Sequence, residues 1–112
     1  MLTKDELENL LQSLGIPSNE GITHLEENDT YPKIVYFEYS WDDIVSSGTS
    51  YDSIVEYQIS FKSITPRDPK LIELKKKLND LGHHPRIDHE YIKDIRVWHS
   101  YFSLDVLENV CK

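Results

Sequence analysis

The 112-residue chain carries 20 Asp and Glu against 12 Lys and Arg, a formal charge of −8, with 38% hydrophobic residues. That length supports one domain, 1–112, and seven Tyr, three Phe and two Trp supply the bulk for one two-layer core. The net charge argues against nucleic acid as a partner, because phosphate binding requires a basic face. No apolar run approaches the ~18 residues of a membrane span, and the polar start lacks the basic and apolar regions of a secretory signal. The expected location is therefore the cytoplasm, or the inside of a larger particle. The single Cys111 can neither staple the fold nor complete a zinc pair.

Charge is distributed unevenly. Residues 1–60 hold two cations, Lys4 and Lys33, against twelve acids, a net of −10; residues 61–112 hold ten cations against eight acids, a net of +2. Such asymmetry either reflects which faces are solvated or gives the molecule two complementary sides for head-to-tail contact.

In chain order, Thr3 and Glu6 form a T-x-x-E capping box, with Leu2 and Leu7 at the staple positions around it. Leu7, Leu10, Leu11 and Leu14 continue as the apolar stripe of a helix that Gly15 and Pro17 end. Residues 18–30 read as an acidic loop, with a short strand at 22–25. The nearly continuous apolar run at 33–39 predicts a strand covered on both faces. Residues 41–51, rich in Ser, Gly and Asp, read as a long loop. The alternation of Val55, Tyr57, Ile59 and Phe61 with Glu56, Gln58, Ser60 and Lys62 predicts a second strand with one wet face.

Asp68 as N-cap and Pro69 at the first helical position open a second helix. Its buried stripe is expected at Leu71, Leu74, Leu78 and Leu81, its stop at Gly82, and a Glu73–Lys77 pair on its outer side. Residues 83–89 read as a polar loop with an edge strand through Ile87. Residues 92–106 read as a hairpin or one long strand, in which Trp98, Phe102, Leu104 and Val106 alternate with His99, Tyr101, Ser103 and Asp105. The predicted fold is α+β in the order α-β-β-α-β-β, a mostly antiparallel sheet with both helices packed on one face.

Catalytic signatures are sparse. The four glycines are isolated, so no phosphate-cradling loop forms, and no nucleophile elbow or Cys–His pair stands out. His83, His84, Asp88, His89 and Glu90 are types that bind metals, and His84 with His89 could supply two ligands of a metal hydrolase. Their spacing fits no closed ligand set, so the expectation is a polar loop, no metal, no cofactor and no catalysis. His99 is expected to face solvent or a subunit contact. The expected surface anchors are Trp41 and Tyr51, flanking the long loop with the Asp42–Asp43 pair, and Trp98, Tyr91 and Tyr101 near the sheet end.

Four features in this order are similar to the tail-terminator, or tail-completion, proteins of long-tailed bacteriophages and prophages. They are the amphipathic first helix; the proline-led strand Tyr31-Pro32-Lys33-Ile34-Val35-Tyr36; the long hairpin ending in Tyr51-Asp52; and the strand 54–61 closing on an Asp68-Pro69 helix, followed by terminal strands in 87–104. The resemblance covers nearly the whole chain. It implies a non-enzymatic subunit that forms a ring, commonly a hexamer, capping the tail tube and joining it to the head connector. It further implies a life in the host cytoplasm during assembly and then in the virion. The residues themselves leave open a second reading, a small acidic inhibitor or immunity-type protein that neutralises a basic partner.

Overall fold

The structure is a computed structural model that describes residues 2–21, 31–45, 51–108 and 110, with backbone alone at Ile44, Val45, Tyr51 and Asp52. Its elements in chain order are β1 (Leu2–Thr3), α1 (Lys4–Gln12), β2 (Ser18–Glu20), β3 (Lys33–Val45), β4 (Tyr51–Ser63), α2 (Pro69–Asp80), β5 (Asp88–Ile92) and β6 (Val97–Glu108). The order is thus β-α-β-β-β-α-β-β: both expected helices and the main strands are present, and the short strands β1 and β2 are additions to the predicted pattern. The expected strand at 22–25 lies outside the described residues.

The sheet runs β1-β6-β4-β3-β2, with β5 also on β6. The three long ladders, β3/β4, β4/β6 and β5/β6, are antiparallel. Two short ladders are parallel: Leu2 opposite Val106 in β1/β6, and Ser18 opposite Ile34 in β2/β3. An antiparallel expectation drawn from hairpins could not include them, because strands that run parallel cannot be joined by a tight turn.

One face of the sheet carries the core. Leu7, Leu10 and Leu11 of α1 and Leu71, Leu74 and Leu78 of α2 join one cluster with Ile34, Tyr36, Val55, Tyr57, Ile59, Phe61, Phe102, Leu104 and Val106. Both helices therefore cover the same side. The four inward residues of β4 are fully buried, as a period of two requires when one face is sealed. Each helix begins as its sequence dictates. The Thr3 hydroxyl accepts from the Glu6 amide at 3.2 Å while Glu6 reaches back to the Thr3 amide, and Asp68 accepts from the Lys70 amide at 2.8 Å. Gly82, at φ +83°, turns the chain out of α2 where a side chain would be strained.

Three expectations need correction. Residues 41–45 are not loop: β3 continues through them, paired residue for residue with 51–55. Ladder hydrogen bonding overrides the turn-forming character of Asp42 and Asp43. Leu81 caps α2 and is 50% exposed, since the helix ends before a further turn could bring it onto the sheet. Strand β3 is covered on both faces only over Lys33–Tyr36; Phe37–Tyr39 and Trp41–Asp43 are exposed. No helix among the described residues is long and apolar enough to cross a membrane.

Candidate functional site

The molecule is elongated, 51 × 30 × 23 Å, and its long axis gives the surface two distinct ends. Strand β2 pairs only with residues 34–36 of β3. Beyond that point the outer edge of β3, residues 38–45, has no strand partner among the described residues, and a bulge between Glu38 and Ser40 bends it. Because of the bulge, Glu38, Trp41 and Asp43 oppose Tyr57, Val55 and Ser53 and share the helix-bearing side of the sheet. Trp41 is 60% exposed there, and Asp43 accepts a 2.8 Å hydrogen bond from the Ser53 hydroxyl. On the opposite side Tyr39 donates to Glu56 at 2.6 Å and lies 3.1 Å from the Ser103 hydroxyl. The Glu56 contact raises the Tyr39 phenol above its usual range. Between Lys33 and Lys62 the sequence contains no Lys or Arg and five acids, so this arm is uniformly acidic.

The other end of the sheet lies where Ser63 pairs with Trp98 and the turn 93–96 joins β5 to β6. The segments at that end, 62–70 and 93–96, carry Lys62, Arg67, Lys70, Lys93 and Arg96 against Asp68 and Asp94, an excess of cations near the start of α2. From Val55, opposite Trp41, to Ser63, opposite Trp98, is eight residues of strand, roughly 27 Å at ~3.4 Å per residue. The two groups of expected anchors therefore lie well apart on the sheet. Trp41, Asp42 and Asp43 stand exposed on the arm, with Tyr51 opposite Val45 and its side chain outside the described residues. Trp98 and Tyr101 are half-buried on β6; Trp98 packs on Tyr91 at 5.1 Å and Tyr101 on His99 at 5.0 Å.

No family model matches the chain, and no curated protein matches it.

The histidine-rich segment does not converge. His84 pairs with Asn79 at 2.9 Å, His89 with Ser100 at 2.7 Å, Glu90 with His99 at 3.0 Å and Asp88 with Arg86 at 3.2 Å. Among the described residues no three His, Cys, Asp or Glu side chains come close enough to share a metal ion. His99 is half-buried and not fully open to solvent, the first of the two placements expected of it. Its ring is held by Glu90, and its Nε2 is buried with no protein partner among the described residues.

A second polar cluster joins α1 to the sheet. The Lys4 ammonium donates to Tyr57 at 2.7 Å, pairs with Glu20, and sits 4.6 Å from the centre of the Tyr57 ring; Tyr57 in turn donates to Glu108 at 3.2 Å. Burial acts against the Lys4 charge, but the bonds to Glu20 and Tyr57 outweigh it and raise the ammonium above its ordinary range. Burial pushes the Tyr57 phenol up to about 12, against the opposing pull of Lys4. A fully charged ammonium and a neutral phenol exchange no protons near neutrality, so this cluster is a clasp and not a proton shuttle.

Sequence reasoning missed two surface features. Phe37 and Tyr39 are exposed on the side of the sheet away from the helices, where Phe37 stands opposite Gln58. Ile72 is 39% exposed beside a groove between α2 and residues 85–89. Its place off the Leu71–Leu74–Leu78 stripe was the available signal.

Proposed function

We propose that the chain is a structural subunit that assembles head to tail with copies of itself into a ring, as a bacteriophage or prophage tail terminator does. In that role it closes the head-proximal end of the tail and meets tail-tube and head-connector proteins, first in the host cytoplasm and then in the virion. The observation that carries this reading is the separation of an acidic, aromatic arm on β3 and β4 from a cation-rich end at α2 and the β5–β6 turn. Two unlike patches at opposite ends of a subunit make heterologous contacts, which close into rings or run on as filaments. The order of helices and strands along the chain supports the same reading through its similarity to that family.

The test is the absolute mass of the untagged protein, by light scattering after size exclusion, across a wide concentration range. The expected result is a discrete ring, or a monomer that passes to one as concentration rises, visible as a closed particle by electron microscopy. A monomer at every concentration overturns the ring. It would also promote a second reading favoured by the acid-only arm, a small acidic inhibitor that covers a basic protein surface.

A further inference from the structure

The groove beside Ile72 lies between α2 and the segment that leads into β5. Leu71, Ile72, Pro85 and Ile87 give it an apolar lining, which Arg67, Lys75 and His89 complete. Neither cation has an acidic partner among the described residues, whereas Lys70 and Lys77 on the same helix share Glu73. The groove holds about 260 Å³. That is below the ~300–1,000 Å³ typical of small-molecule pockets and suits a single large side chain.

The arm carries the matching shape. Trp41 is the most exposed aromatic side chain described, and on its own side of the strand Glu38 and Asp43 stand on either side of it. An aromatic anchor between two carboxylates meets an apolar slot between two cations. Since Trp41 lies about 27 Å along the sheet from the end where α2 begins, a chain cannot fill its own groove, and the contact must join two copies.

We propose that the groove is the docking site for the β3 arm of a second copy of this chain, with Trp41 inserted among Leu71, Ile72, Pro85 and Ile87 and its flanking carboxylates facing Arg67 and Lys75. The inference rests on the self-assembly reading above and names the two surfaces that meet. The contact is heterologous: each subunit offers its arm to one neighbour and its groove to the other. Buried Trp anchors of this kind dominate interface energies.

Complementation tests it. Trp41→Ala removes the anchor and leaves the groove; Ile72→Asp spoils the groove and leaves the arm. Both positions are exposed, and circular dichroism confirms that each variant is folded; Lys75→Glu, also exposed, replaces Ile72→Asp should that variant unfold. Masses are measured by sedimentation equilibrium for wild type, each variant alone, and an equimolar mixture. Each variant alone is expected to associate at least ~30-fold more weakly than wild type. The mixture is expected to form a 1:1 dimer and nothing larger, since one intact arm then meets one intact groove. Variants that assemble like wild type, or folded variants whose mixture stays monomeric, overturn the docking site and leave self-assembly standing. Wild type that is monomeric throughout overturns self-assembly itself, and the docking site with it.

Discussion

The Lys4 ammonium donates a 2.7 Å hydrogen bond to the Tyr57 hydroxyl, 53 residues away in sequence, and so ties the first turn of α1 to the middle of the sheet. Tyr57 is fully buried, and its hydroxyl continues to Glu108 near the end of β6. Helix, central strand and final strand therefore meet at one oxygen. Lys4→Met removes the donor and leaves Glu20 and the phenol oxygen less well satisfied. The expected loss is about 1.5–3 kcal/mol, the range for hydrogen bonds to charged groups. Urea denaturation of the variant against wild type measures it, and an unchanged midpoint would remove the clasp from the account of stability.

The same pair sets an alkaline limit. Folding raises the Tyr57 phenol from 10.0 to about 12 and raises Lys4 as well, so above pH 10 the native state holds protons that the unfolded chain has released. Stability from both groups is complete below about pH 10 and declines as pH rises toward 12. Thermal midpoints measured from pH 8 to 11.5 should be flat at first and then fall. In Tyr57→Phe, which has no phenol to ionise, the decline should be shallower; an equal decline would place its cause elsewhere.

Two leucines of one apparent stripe should respond differently to truncation. Leu74 is 1% exposed within the core cluster, and Leu81 is 50% exposed at the end of α2. Leu74→Ala is expected to cost about 2–5 kcal/mol by leaving a cavity under the sheet. Leu81→Ala should stay within about 0.5 kcal/mol of wild type, as surface changes do. Chemical denaturation of both variants decides it, and a costly Leu81→Ala would mean that Leu81 is covered.

Assembly through an acidic arm and a basic end should weaken with salt, because the screening length falls to about 3 Å at 1 M. The association constant from sedimentation at ~0.05 M and ~1 M salt is expected to drop on the order of tenfold, as for contacts with charged rims. An unchanged constant would leave the apolar part of the contact as its whole driving force.

Local chemistry wrote much of this protein directly into its sequence. The capping box of Thr3 and Glu6, the Asp68–Pro69 start of α2, the Gly82 stop and the inward set Val55, Tyr57, Ile59 and Phe61 all stand where their residue types require. Each depends on neighbours within a turn or on a period of two, and such rules act before any tertiary contact forms. The anchor character of Trp41 and the acidic excess of residues 1–60 were equally legible as chemistry.

Tertiary structure decided the rest. Asp42 and Asp43 became strand because 51–55 pair with 41–45; Leu2 became strand by pairing with Val106 at the far end of the chain, and Ser18 by running parallel to β3 at Ile34. The bulge at Glu38 and Ser40 determined that Glu38, Trp41 and Asp43 share one side, and the strand register set Trp41 and Trp98 at opposite ends. The groove at Ile72 exists only where α2 and residues 85–89 come together. Pairing register and the meeting of remote surfaces are properties of the whole chain, since a shift of one residue would turn every side chain to the other face.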